Sequence, residues 1–335
     1  MKQFFSRRWF LVMLGLVLLA GFFFPVELRP VRDALPQDPV VAIVLFVMAL
    51  PIEAGAMWAA LKRPKPVILA VVINYGLLPL MAWAVSLRLQ PRDLAVGLII
   101  AASVPSTLAS AAVWTRRAGG NDSIATLVMM VTNLACFIVT PFLILLMTGS
   151  DPSAKMPFKP AEMVLSLALF VVLPIVLAQL ARLIAPVARW AGNQKGSLGV
   201  LAQIGVLSMV LVGAISSGLE MIELGPSNSI GLYEWTAMLA SVVGIHLTML
   251  WLGHALGRLL GIAREDRIAV GFAGSQKTQM VGVHLSLTYG GLTILPMVAY
   301  HVCQLLVDTL IADRLAAANK VQTDEPPDDP REEAG

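Results

Sequence analysis

Between Ile268 and Val307 the chain carries one charged residue apart from histidine, Lys277. It stands in Gly274-Ser275-Gln276-Lys277-Thr278-Gln279, a polar sextet inside an apolar run. If that run crosses a bilayer, an ammonium at its centre costs about 2.5–3.5 kcal/mol on insertion scales, and something must offset that cost. Three chemistries are open to Lys277. It can load and release a proton, since desolvation favours the neutral amine. It can bind an anionic ligand directly. Or it can hold the interior together in a permanent ion pair with Glu53 or Asp308.

A second polar interruption lies at Ser103-Val104-Pro105-Ser106-Thr107. Proline removes a backbone donor and clashes with the preceding turn, so it breaks or kinks a helix. Unwound backbone at membrane depth is tolerated only inside protein or beside water. The helix N-termini that follow such breaks offer free amides to an anion. Pro105, Ser106, Thr107, Ser275, Lys277 and Thr278 are therefore the candidate substrate contacts. Glu53, after Pro51, is a candidate for a group facing an internal cleft. His246, His284 and His301 lie in apolar runs and read as hydrogen-bonded structural residues, Tyr289 and Trp251 as packing residues, and Asp308 as a partner for Arg314. Cys136 and Cys303 show no metal spacing. No His-Glu-x-x-His, no Gly-x-Ser-x-Gly, no paired aspartates and no nucleotide motif occur, which argues against an enzyme and against an ATP-driven pump.

The elements that position these residues follow from composition. Of 335 residues 57% are apolar and only 13% charged, and mean hydropathy is +0.78. Soluble domains carry about 25% charge. With roughly 20 apolar residues per span, helices are expected at about 9–25, 38–60, 66–88, 93–115, 121–148, 161–185, 197–218, 232–260, 265–289 and 291–315. Arg7 and Arg8 before the first run resemble a signal peptide, but bulky Phe22 to Phe24 replace a cleavage site, so the first helix is read as retained. Lys320 to Gly335 is acidic and proline-rich and reads as a disordered tail. Alternate connectors hold 17 of the 24 lysines and arginines on one side and six on the other, with Lys277 inside a span. The rule that cytoplasmic loops are basic then puts both termini in the cytoplasm, in a bacterial inner membrane.

The two interruptions fall in span four of the first five and span four of the second five. An odd-span repeat must insert upside down relative to its copy, which is the pattern of inverted-repeat secondary transporters with a site near the midplane. The expected organisation is an all-α polytopic protein with ten transmembrane helices in two inverted five-helix repeats, 1–150 and 151–318, and a tail at 319–335. A non-transporting membrane scaffold is the reading from another class, and costly polar breaks speak against it.

At these residues the chain resembles the bile acid:sodium symporter family over nearly its whole length. Asn74, Tyr75 and Pro79 fall in the pattern of that family's third helix. Its fourth helix carries Pro-Gly-Gly-Thr-x-Ser-Asn; Pro105 and Ser110 match, while Ser106, Thr107, Leu108 and Ala111 depart. Gly120-Asn121 and Thr140-Pro141 match its fifth-helix landmarks. In the ninth helix Gly274 and Gln276 match, Phe272 replaces a glutamate and Lys277 an asparagine, which looks like a divergent branch. The resemblance implies a panel domain (first two helices of each repeat), a core domain (last three), crossing broken helices four and nine, an organic-anion substrate and coupling to sodium. It implies a first sodium site at Ser110, Ala111, Ala125, Met129 and Phe272, where only Ser110 keeps an oxygen. It implies a second at Asn74, Gln276 and the carbonyls of Ala273 and Ser275. The resemblance further implies that the Lys277 ammonium stands where a sodium ion sits in relatives, donating to Asn74 and the carbonyls of the break, so ion binding or coupling is expected at Asn74, Ser110, Gln276, Lys277 and Glu53, with sodium or a proton as coupling ion and no other cofactor. The partners are the substrate and the lipid bilayer, with no nucleic acid; substrate identity, transport direction and oligomeric state are not specified.

Overall fold

The computed structural model describes residues 2–53, 60–108, 110–149, 159–225 and 230–324. Among them every regular element is a helix. In chain order these are α1 (Lys2–Phe23), α2 (Pro25–Ala34), α3 (Gln37–Ala49), α4 (Pro64–Ser86), α5 (Arg92–Ser103), α6 (Ser110–Arg117) and α7 (Asp122–Thr148). There follow α8 (Pro160–Ala181), α9 (Ala185–Asn193), α10 (Lys195–Leu224), α11 (Leu232–Leu259), α12 (Arg264–Ser275), α13 (Gln279–Tyr289) and α14 (Ile294–Asp324). Among the described residues six of these (α4, α7, α8, α10, α11 and α14) are long and apolar enough to cross a membrane, or seven if the bent pair α1–α2 counts as one span. Their outward faces are apolar: Ile68, Leu80, Ile138, Phe142, Leu169 and Leu180 are exposed, as a hydrocarbon solvent requires.

The helices pack in two groups. α1, α2 and α3 lie against α10, and α8 lies against α3. α11 and α12 pack face to face beside α4, α7 and α14. The α11–α12 seam is built on glycine: a Cβ at Gly253 would stand 2.9 Å from the Gly271 Cα. Small residues let helix backbones approach closely where lipid supplies no hydrophobic drive between them.

The structure departs from the expected element map in four places. The first helix starts at Lys2, and the chain turns by 109° at Phe24 into α2, where a connector was expected. Pro25 at the first position of α2 suits a new helix start but cannot continue the old one. α9 likewise occupies an expected connector. α3 ends at Ala49, two residues before Pro51, rather than at 60; residues 54–59 lie outside the described ones. α14 runs on to Asp324 through the first residues of the expected tail, because nothing from Ala312 to Asp324 breaks a helix; residues 325–335 lie outside the described ones.

The connectors group by end. Arg63 pairs with Asp266 at 3.0 Å, Asn121 Nδ2 donates to Asp266 at 2.8 Å, Arg117 pairs with Asp313, and Lys195 pairs with Glu53. At the opposite end the Leu292 amide donates to Asp93, and His284 approaches Asp38.

Candidate functional site

The first break has a local cause. A residue before proline is pushed out of the helical region, and Val104 is extended, with φ −73° and ψ 160°. α5 therefore stops at Ser103. The freed backbone groups are met by α7: Thr140 donates to Ser103 O at 2.8 Å, Asn133 Nδ2 donates to Ser106 O at 2.7 Å, and the Ser106 amide donates to Thr132 Oγ1 at 3.3 Å.

The second break contains no proline. Gln276 is nonetheless extended, with φ −77° and ψ 149°, and α13 begins only at Gln279. Its cause is tertiary. The side-chain amide of Gln304 on α14 pairs with the Lys277 peptide group: Lys277 N donates to Oε1 at 2.9 Å, and Nε2 donates to Lys277 O at 2.9 Å. Asn74 Nδ2 faces the carbonyls of Ala273, Gly274 and Gln276 at 3.4, 3.2 and 3.0 Å. The Thr278 amide donates to Pro105 O at 2.9 Å, so the two breaks meet backbone to backbone.

Lys277 is fully buried. Its Nζ donates to Asn74 O at 2.7 Å, Val104 O at 2.8 Å and Asn74 Oδ1 at 3.1 Å, and lies 5.4 Å from the Tyr75 ring centre. An ammonium has three donors, and these three oxygens take them. Two of the oxygens are available for identifiable reasons. Ile73–Leu77 is a π-turn, in which Leu78 N bonds Ile73 O and so bypasses Asn74 O. The next residue, Pro79, has no N–H to offer. Val104 O is free because its helix has just ended.

Asp308, also fully buried, accepts from His246 Nε2 at 2.9 Å and from Gln276 Nε2 at 2.5 Å. Gln276 Oε1 accepts from Ser110 at 2.8 Å. Ser275 O accepts from the Tyr300 hydroxyl at 2.9 Å and stands 3.3 Å from His246 Nδ1. The expected pairs are thereby corrected. Glu53 binds Lys195 at the basic end, and Asp308 binds His246 instead of Lys277 or Arg314, because it points inward to the break.

A cavity of about 970 Å³ opens between the two helix groups. Glu53, Arg116, Arg117 and Lys195 lie on its basic side, and Thr107, Ser110 and His301 line it as well. Of the expected substrate contacts, Thr107 faces this cavity, while Pro105, Ser106, Ser275, Lys277 and Thr278 are buried at the crossing. The Ser106 hydroxyl, Asn133 Oδ1 and both polar atoms of Gln279 are buried and have no hydrogen-bond partner among the described residues.

The expected sodium ligands come together, but each oxygen already accepts from a protein donor: Asn74 Oδ1 from Lys277, Ala273 O from Asn74, Ser275 O from Tyr300, Gln276 Oε1 from Ser110. At the other implied site Ala111, Ala125, Met129 and Phe272 are buried and bring no side-chain oxygen. The residues here do not fit a sodium cage in this conformation.

Sequence reasoning missed Thr132, Asn133, Gln304 and Tyr300; it read His246 as a hydrogen-bonded structural residue, as it is here, and gave Asp308 to Lys277 or Arg314 rather than to His246 and Gln276. The available signal was polar residues inside the last span: Tyr300, Gln304 and Asp308 recur at steps of four, one helix face.

A family described as the SBF-like CPA transporter family matches residues 8–317. The Uncharacterized sodium-dependent transporter YocS of Bacillus subtilis is 24% identical over 273 residues, covering 81% of this chain and 79% of that protein. The Probable sodium/metabolite cotransporter BASS4, chloroplastic, of Arabidopsis thaliana is 25% identical over 288 residues, 81% of this chain and 64% of its own. The Sodium/bile acid cotransporter 7 of Rattus norvegicus is 24% identical over 283 residues, 81% of this chain and 80% of its own.

Proposed function

The chain belongs to the SBF-like CPA transporter family, within the bile acid:sodium symporters, and we propose that it is a secondary transporter of a small organic anion working by alternating access. One observation carries this reading: two broken helices meet through Thr278 N and Pro105 O, beside a cavity that reaches Thr107 and Ser110. Midplane breaks at a repeat interface are where such carriers bind their cargo.

The ten-span reading assigns one span each to α1, α4, α7, α8, α10, α11 and α14. One span starts with α3, and the broken pairs α5–α6 and α12–α13 form one each. Each half then reads alike: a span, a short helix (α2 or α9), a second span, and a broken fourth span. The α1–α3–α8–α10 group is the panel and the remainder the core. The basic end of the cavity faces the cytoplasm by the positive-inside rule, so this conformation is inward-open. Ser106 and Gln279, whose buried side-chain polar atoms have no hydrogen-bond partner among the described residues, supply polar groups for the cargo at the crossing.

Proteoliposomes loaded with unlabelled carboxylates or organic sulfates test the proposal. The expected result is saturable counterflow of the labelled anion, weakened at least tenfold by Ser106→Val. A folded chain that exchanges no member of the panel overturns it.

A second reading is favoured by the three oxygens around Nζ: the Lys277 ammonium occupies the place of a coupling cation. Uptake is then expected to be equal in sodium and choline media. Accumulation driven by a sodium gradient in the unaltered chain overturns this reading and leaves the transporter reading intact.

A further inference from the structure

The turn of the α11–α12 hairpin carries positive charge that no pairing in the protein uses. Arg258 stands in the last turn of α11, Arg264 opens α12, and Arg267 follows one turn later. The chain reverses between them at Gly261, where φ is +66°. The stem of Arg267 lies across α11: a Cβ at Gly257 would stand 2.9 Å from its Cγ. All three guanidinium charges act on His254, one turn before Arg258. Three cations thus converge on one end of the hairpin.

Among the described residues none of the three has a carboxylate partner, and Arg267 Nε is buried with no hydrogen-bond partner. The acids close by do not cancel them. Asp266 is already bonded to Arg63 and Asn121, and Glu265 is exposed. Lys62 and Lys65, exposed beside Arg63 at the start of α4, add to the same end. An unmet buried donor is costly and like charges held together repel. An anion with several oxygens offsets both.

The neighbouring side chains narrow the choice of anion. Leu247, Trp251, His254 and Arg258 recur at steps of four, three and four, which is one face of α11. Leu247 and Trp251 are exposed, Trp251 to 65%, and Leu259 and Leu260 are exposed beyond Arg258. In a bilayer such side chains meet acyl chains, and a tryptophan next to arginines sits at headgroup level. The fitting ligand therefore has an apolar part that lies along Leu247 and Trp251 and an oxygen-rich anionic head. Free phosphate meets only the second requirement.

We propose that the turn of the α11–α12 hairpin binds the headgroup of an anionic phospholipid, with its phosphate held by Arg258, Arg264 and Arg267 and an acyl chain along Trp251 and Leu247. Basic pockets between membrane helices take such headgroups on the cytoplasmic side, the side to which the positive-inside rule assigns this end. The bound headgroup ties the first turn of α12, the helix that ends at the second break, to α11. No residue of this site lines the cavity, so the site stands apart from the cargo.

The test is the melting temperature of the purified full-length chain in a neutral detergent, titrated with phosphatidylglycerol or with phosphatidylcholine of the same acyl chains. Phosphatidylglycerol is expected to raise Tm by several degrees and phosphatidylcholine to leave it unchanged, since a ligand bound only by the folded state raises Tm. Arg258→Gln/Arg264→Gln is expected to need at least roughly tenfold more phosphatidylglycerol for the same shift, because each basic residue near an anionic headgroup contributes about fivefold. Arg29→Gln/Arg32→Gln, at the opposite end, is expected to respond like the unaltered chain. Equal responses to the two lipids, a phosphatidylglycerol response that survives Arg258→Gln/Arg264→Gln, or an equal loss in Arg29→Gln/Arg32→Gln overturns the site. An equal shift from inorganic phosphate at matched concentration overturns the assignment to a lipid. If the double variant does not fold, Arg258→Gln alone decides: its side chain is exposed, a response weakened about fivefold is expected, and an unchanged response overturns the site.

Discussion

The amide of Thr278 donates to the carbonyl of Pro105 at 2.9 Å, so each broken helix supplies one half of the bond that joins them. Around that bond the inserted groups come from three helices: Gln304 from α14, Asn74 from α4, Asn133 and Thr140 from α7. The crossing is therefore held by α4, α7 and α14 together, and its parts can be removed one at a time.

Gln304→Leu strips the Lys277 peptide of both partners in a dry site. An unsatisfied buried polar group costs about 1–3 kcal/mol, so Tm in detergent should fall by several degrees. Gln304→Glu keeps an acceptor for Lys277 N and loses the donor to Lys277 O, and should fall in between. Equal melting of Gln304→Leu and the unaltered chain would show that the break does not depend on α14.

Pro105→Ala removes the steric cause of the extended Val104 but leaves the bonds from Thr278, Asn133 and Thr140 in place. The break should persist, with a loss under about 1.5 kcal/mol, within the usual range for a single substitution. A large loss, or a structure in which α5 runs straight into α6, would make the proline itself the decisive element.

Gly253→Val places a side chain against the Gly271 backbone, 2.9 Å from its Cα, where nothing can rotate away. Overpacking of this kind costs about 1–3 kcal/mol. Gly244, on the same helix with open space around it, is the control, and Gly244→Ala should melt like the unaltered chain. Comparable losses at both glycines would refute the close α11–α12 seam.

His284 on α13 bonds Ser166 on α8 at 2.8 Å and stands 3.4 Å from Asp38 on α3, at the end of the molecule away from the cavity mouth. It ties α13 to α8 and brings it close to α3 at that end. His284→Ala should open that end more often and speed labelling of a cysteine placed at Leu287 by an impermeant thiol reagent added from that side. Unchanged labelling rates would exclude His284 as a latch.

Much of this architecture was legible in the chain because lipid leaves few options. Apolar runs of about 20 residues, basic connectors on alternate sides, and the order Asn74-Tyr75, Pro105, Thr140-Pro141, Gly274-Ser275-Gln276 pointed to a membrane bundle with two interrupted helices. The first interruption is local: Pro105 forces Val104 out of the helix wherever the chain is put. The donation of Lys277 to Asn74 was also foreseeable from an ammonium that needs oxygens and an amide in the matching helix. Short amphipathic α2 and α9 were missed because their composition resembles that of loops.

The second interruption is a different case. Residues 276–278 contain neither proline nor glycine, and their extended backbone exists because Gln304, Asn74 and Pro105 O offer better partners than the helix would. The pairing of Asp308 with His246 and Gln276, 62 and 32 residues distant in the chain, likewise depends on α11, α12 and α14 packing together. Sequence by itself determined that a charge would be buried, since hydropathy and the position of a lysine are properties of the chain. Only the tertiary structure decided which oxygens receive it, because hydrogen-bond geometry belongs to the packed helices.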